Sequence, residues 1–386
     1  MKKTNSISLG LGSILALTIF ALLLVSPRFL KGDEDDAGAV YTMTNDPLGN
    51  TVLVFKRSAD GTLKNGGTFF TGGRGSGGKE PDFGLGNARA LVLSKNNRFL
   101  FVVNPGSDDI SAFAVSDDGL RLIDRQSSGG HQPISVTVDD NLLYVLNAGG
   151  NLGDSDNITG FTVRSDGRLT QLSGSTRRLS APATGPAQIR FSPSGKVLVV
   201  TERNTNKIDT YTLGNDGRPT GHRVTLSDAE TPFGFDFSYR NQLFVSDDFN
   251  DAPGAGALSS YLLSPDGGLH LVSSAVPAHE SGACWVLVSR DGRFAYLANT
   301  VSSTISLYRI DAPSGRVTLI KAFQSLTGPT DMDFSRDGRF LYVLNPDQIG
   351  TNPGVGAFRV NREDGSLTPL PGVSGLPAFV DGLAAR

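Results

Sequence analysis

Seven times the chain sets a small polar residue directly before a glycine at the same point of a recurring pattern: Asp60-Gly61, Asp118-Gly119, Asp166-Gly167, Asp216-Gly217, Asp266-Gly267, Ser314-Gly315 and Asp364-Gly365. The period is roughly fifty residues, and each period holds about four short strands separated by turn residues. One such unit cannot bury both faces of its sheet, so neighbouring units must cover each other. Arranged radially they form an all-β, seven-bladed β-propeller. The 386 residues would ordinarily suggest more than one domain, but blades add to a single ring.

The last full unit shows the pattern. Asp331 to Phe334 alternates as an inner strand, and Ser335 to Arg339 makes a hairpin turn. Phe340 to Leu344 is an almost continuous apolar run, as expected of a strand covered on both faces. A third strand follows from about Val355 to Val360 and an outer one from Leu367 to Leu370. Inner strands are expected to begin near Ala88, Pro133, Pro186, Pro232, Ala283 and Pro329. Residues 39–70 supply only the second, third and outer strands of a seventh unit, and Phe379 to Ala385 reads as an inner strand with nothing after it. The C-terminal strand is therefore expected to pair beside Val40 to Thr44, closing the ring and leaving no open edge at either terminus.

Lys2 and Lys3 precede an apolar run from about Ile7 to Val25, the layout of an export signal. Its length also suits a retained anchor, and no small-x-small cleavage site follows at Ser26-Pro27-Arg28. The expected division is 1–36 as signal peptide or membrane anchor plus charged linker, and 37–386 as propeller. The folded part is placed outside the cytoplasm, periplasmic or secreted, touching a membrane only through its N-terminal segment, and as a monomer. The single cysteine, Cys284, excludes an intrachain disulfide. A net charge of −3 with dispersed Lys and Arg argues against a nucleic-acid surface.

Equivalent positions of successive blades meet around the axis, where propellers bind ligands. The residues ending the second strands are Asn45, Asn104, Asn147, Glu202, Asp247, Asn299 and Asn345. Asparagine there can hold the turn into the third strand without any ligand. Two acids in adjacent blades would repel, raise at least one pKa and attract a cation or polar ligand. The inner-strand starts contribute Arg89, Gln188, Trp285 and Asp331, a mixture suited to a small polar ligand. Glu202, Arg89 and Asp247 are the candidate catalytic groups; Gln188, Asn147, Asn204, Trp285, Asp331 and Asn345 are candidate binding residues. Two long loops are rich in oxygen ligands, 147–157 with Asp154 and Asp156, and 247–256 with Asp248, Asn250 and Asp251. Either composition suits Ca²⁺, though neither has EF-hand spacing, and the four His show no paired spacing for zinc.

Phe191-Ser192-Pro193-Ser194-Gly195, Tyr144-Val145-Leu146-Asn147 and the run from Ser335 to Asn345 resemble blades of the seven-bladed lactonase family. That family includes bacterial 6-phosphogluconolactonases and fungal carboxymuconate cyclases and lies close to YVTN-type surface propellers. The resemblance covers the chain from Ala39 onward. It implies a lactone hydrolase or cyclase with no redox cofactor. In the lactonase branch one blade opens with Gly-Pro-Arg-His and its second strand ends in Glu. Here Gly185-Pro186-Ala187-Gln188 is followed by Thr201-Glu202-Arg203-Asn204, so the Glu is kept and the Arg-His pair is absent. Where that branch often has Pro-Cys-His, this chain has Pro133-Ile134-Ser135; His131 lies nearby. The expected function is an exported lactonase-like propeller with Glu202 as base; the alternative is a non-catalytic extracellular propeller binding a protein or glycan.

Overall fold

The computed structural model describes residues 37–78, 88–346 and 352–386. The expectations for residues 1–36 lie outside the described residues. Among the described residues no helix is long and apolar enough to cross a membrane.

Among the described residues there are seven antiparallel sheets, six of four strands and one of five. Blade 7 runs through Met332–Phe334, Phe340–Asn345, Gly354–Val360 and Leu367–Ser374. Blade 1 is assembled from both ends of the chain. Its inner strand, Asp381–Ala385, pairs antiparallel with Gly38–Met43, placing Val40 opposite Ala385 and Tyr41 opposite Ala384. The seven inner strands touch in cyclic order, from Leu91–Leu93 round to Asp381–Ala385 and back. The second strands Val197–Glu202, Phe294–Asn299 and Phe340–Asn345 are buried at every position, as the unbroken apolar runs require. The outer strand Pro219–Leu226 is mostly exposed.

Blade 3 departs from the four-strand expectation. Its outer strand is split into Leu169–Gln171 and Arg177–Arg178. Between the two pieces Ser175 Oγ accepts from the Gly160 N–H, replacing a ladder bond that the looped-out backbone no longer makes, while the Gly160 carbonyl accepts from Leu172 N–H at 2.8 Å.

The repeat glycines have positive φ in all seven blades, their Cα positions abut the adjacent blade, and the carbonyls of Gly61, Gly217, Gly267 and Gly365 accept a bond from it. At Gly61 φ is 97°, and a Cβ there would lie 2.4 Å from the Phe340 ring of blade 7. The Gly61 carbonyl accepts from Tyr342 Oη at 2.8 Å. Tyr144 and Tyr296 bond the Gly217 and Gly365 carbonyls of their following blades in the same way. A side chain at this position meets both backbone strain and a steric clash. Gly61→Ala is expected to cost about 2–4 kcal/mol, read as a lower urea midpoint with an unchanged m-value.

Inner strands have one edge toward the axis with no ladder partner, and side chains of the neighbouring blade satisfy it. Gln188 spans to blade 5, Oε1 accepting from Phe235 N–H at 2.9 Å and Nε2 donating to Phe235 O at 2.8 Å. Asp236 Oδ2 accepts from Val288 N–H at 2.9 Å, and Asp333 Oδ2 from Ala385 N–H at 2.9 Å. Polar residues at alternate inner-strand positions are thus part of how the ring closes.

Candidate functional site

A cavity of about 500 Å³ runs along the axis, lined by the inner strands. It includes four of the residues singled out in the sequence, Arg89, Gln188, Trp285 and Asp331, and extends to the inner hairpin turns, where exposed Lys95, Tyr239, Arg290 and Arg336 line it.

Arg89 stands just before an inner strand with φ 67°, an uncommon conformation for a residue with a side chain. Its N–H donates to Asp331 Oδ2 at 3.0 Å. Leu383 N–H donates to the same oxygen at 3.0 Å, and Met332 N–H to Oδ1 at 2.9 Å. Burial pushes Asp331 up to about 6, against the pull of these N–H donors and of the Arg89 charge. Asp331 is thereby a carboxylate poised near neutrality beside a guanidinium, in a cavity large enough for a small molecule. Asp333 is also raised by burial and held down by Arg89.

Three further cavity residues were not among the sequence candidates. Arg190 forms an ion pair with Asp236, and burial with the nearby Arg89 charge lowers its guanidinium to about 10. Arg190 and Asp333 lie one alternation along the inner strands from Gln188 and Asp331, and Asp236 holds the position equivalent to Arg190 in blade 5. A period of two was the available signal, since residues i and i+2 share the axial face. Trp285 lines the cavity; its Nε1–H is buried without an acceptor, and its ring packs against Phe233 with centroids 5.1 Å apart.

The other candidates sit elsewhere. Glu202 and Asp247 end equivalent strands of adjacent blades, as expected, but neither is among the cavity-lining residues. Glu202 Oε1 accepts from Ser180 N–H at 2.9 Å, and Oε2 from Ser180 Oγ and Thr205 Oγ1, both at 2.5 Å. The carboxylate therefore clips the segment leading into blade 4. Burial raises its pKa, and the charge that adds to the effect is Asp209, not Asp247. Asp247 is 0% exposed; Oδ2 accepts from Ser259 Oγ at 2.6 Å, Oδ1 has no partner, and burial pushes it up to about 8. Asn147 and Asn345 fill the turn-holding role. Asn147 donates to Asn157 Oδ1 at 3.0 Å and Asn345 to Leu326 O at 3.0 Å. Asn204 is exposed on the turn after Glu202.

The oxygen-rich loops are also largely self-satisfied. Asp156 Oδ2 accepts from Thr184 N–H at 2.6 Å and from its hydroxyl at 2.8 Å, while Oδ1 accepts from Gly150 N–H at 2.8 Å. Asp248 and Asp251 of the other loop meet Cys284 of the strand Ala283–Val288, bringing two carboxylates and a thiol within 4.8 Å. That donor set does not fit Ca²⁺, which takes oxygen ligands.

The family described as lactonase, seven-bladed β-propeller, matches residues 27–184, 155–251 and 266–379. A 6-phosphogluconolactonase of Bacillus subtilis is 24% identical over 320 residues, covering 76% of this chain and 86% of that protein. Among solved structures, a periplasmic gluconolactonase of Pseudomonas aeruginosa superposes with a TM-score of 0.71 at 19% identity, covering 90% of this chain and 98% of that one. A Lactobacillus plantarum protein superposes with a TM-score of 0.70 at 18% identity, covering 90% and 99%. These structural likenesses carry the fold.

Proposed function

We propose, for a chain that belongs to the seven-bladed β-propeller lactonase family, that its axial cavity hydrolyses a small polar lactone of the sugar-acid or muconate type. The observation that carries this reading is Asp331, a carboxylate with a pKa of about 6 beside Arg89 in the cavity. Asp331 takes a proton from water as the water oxygen attacks the lactone carbonyl carbon. The Arg89 guanidinium faces the oxyanion that forms. When the ring C–O bond breaks, the proton passes from Asp331 to the departing alkoxide, leaving an open-chain hydroxy acid. Glu202, the base expected from the family motif, clips the segment at Ser180 and Thr205 and does not line the cavity, so the role there falls to Asp331.

The export-like N-terminal pattern favours an unphosphorylated substrate outside the cytoplasm, and the periplasmic gluconolactonase among the structural neighbours is in keeping with that setting. The engagement of Glu202 also favours the rival reading, a propeller that binds without turnover, and an activity assay separates the two.

The purified protein is expected to hydrolyse members of a panel of unphosphorylated aldonolactones and muconate lactones. Because the base must be ionised, kcat/KM should rise with pH through about 6. Asp331→Asn should lower kcat by about 10²-fold or more and remove that limb of the profile. Asp331 also holds backbone N–H groups, so Arg89→Gln is the companion variant: kcat should fall about 10²-fold with the melting temperature retained. No turnover across the panel would sink the enzymatic reading.

A further inference from the structure

We infer that the hairpin-side mouth of the axial cavity is a binding site for a small oxyanion, a carboxylate or a phosphate, gripped by Arg290 and Arg336. The sequence Arg-Asp-Gly-Arg occurs in the inner hairpin turns of two adjacent blades, Arg290 to Arg293 and Arg336 to Arg339. In each turn the second arginine neutralises the turn's own acid: Arg293 Nε meets Asp291 at 2.8 Å and Arg339 Nε meets Asp337 at 2.5 Å. The first arginine is left over. Among the described residues neither Arg290 nor Arg336 makes a hydrogen bond or an ion pair, and both line the cavity. The two turns are neighbours, since a Cβ on Gly338 would lie 3.7 Å from Arg290 Cδ.

The inner acids offset these charges only in part, the Arg290 charge helping to hold the Asp333 carboxyl down. Asp236, Asp331 and Asp333 each accept backbone N–H groups that need them to stay where they are, and Asp236 also holds Arg190. The lining therefore offers a surplus of charged donors, and a ligand rich in acceptors is what completes it. Charge on the same end of the ring is arranged concentrically. The outer turns of the blades carry Asp60, Asp118, Asp166, Asp216, Asp266 and Asp364, outside the arginines of the mouth. An extended polyanion meets that acidic rim, whereas a small anion is drawn to the centre. Phosphate ion and the carboxylate of a hydroxy acid share the required chemistry.

The test is calorimetric titration of the full protein with inorganic phosphate and, separately, with D-gluconate, at low and at raised NaCl. At least one probe should bind, more weakly as salt rises, and the R290Q/R336Q double variant should bind it at least about tenfold more weakly. Its melting temperature should be unchanged, because neither arginine bonds to the rest of the fold. Binding of phosphate alone or of gluconate alone identifies the anion's source. Failure of both probes to bind the wild type, or equal binding by the double variant, overturns the inference. Turnover of a neutral lactone is measured separately, so loss of the anion site and loss of the enzymatic reading give different results.

Discussion

Removing residues 379–386 is expected to abolish the cooperative fold of the propeller, leaving protein that is insoluble or lacks a sharp thermal transition. The eight residues include a whole strand of blade 1. They bury Val380, Leu383, Ala384 and Ala385. Their N–H groups at 383 and 385 satisfy Asp331 and Asp333 of blade 7. The main-chain carbonyl of Arg386 also accepts from Arg57 Nε at 3.4 Å. Apolar burial and backbone bonds of this size together are worth on the order of 8 kcal/mol, comparable to the whole stability of many domains. Deletion would also expose the inner edge of Gly38–Met43 and the second face of blade 7 at once. Circular dichroism melts of the full and shortened chains measure the effect; a shift of only a few degrees would mean that the ring does not depend on its closing strand.

Asp247→Asn should stabilise the protein, and by more as pH rises. In the unfolded chain Asp247 titrates near the ordinary carboxylate value, whereas in the folded protein burial pushes it up to about 8. Between those two pH values the folded state binds the extra proton, so stability conferred by the neutral acid is fully present at low pH and is lost as pH climbs through about 8. Asparagine has no proton to lose, and five of the seven blades use it at this strand end. The gain over wild type should be small near pH 4 and reach about 2–5 kcal/mol above pH 8. Chemical denaturation at pH 5, 7 and 9 reads it directly. A pH-independent difference would place the Asp247 carboxyl in contact with water.

The ring was legible because its signals are local and repeated. Gly61 and its six counterparts mark positions where only glycine fits, and the apolar run Phe340 to Leu344 has no face left for water. Closure was legible because both termini lacked what the other supplied. Part of the cavity lining was legible as well: reading across blades at the inner-strand starts singled out Arg89, Gln188, Trp285 and Asp331, all of which line the cavity. The same reading could not separate a strand-end acid facing ligand from one clipping a loop. Glu202 depends on Ser180, 22 residues away, a partner that the repeat does not predict. Arg190 and Asp236 were missed for the opposite reason. They look like ordinary strand polarity until neighbouring inner strands are placed side by side and the unpaired edge they serve becomes visible.

The most direct test of the axial cavity as the working site is a crystal structure of the protein soaked with D-gluconate, the hydroxy acid formed from an aldonolactone. Density for the ligand against the Arg89 guanidinium and the Asp331 carboxyl, inside the ring of inner strands, is the predicted result. Density instead at the strand-end turns around Glu202 and Asn204, with the axial cavity holding only solvent, would contradict it.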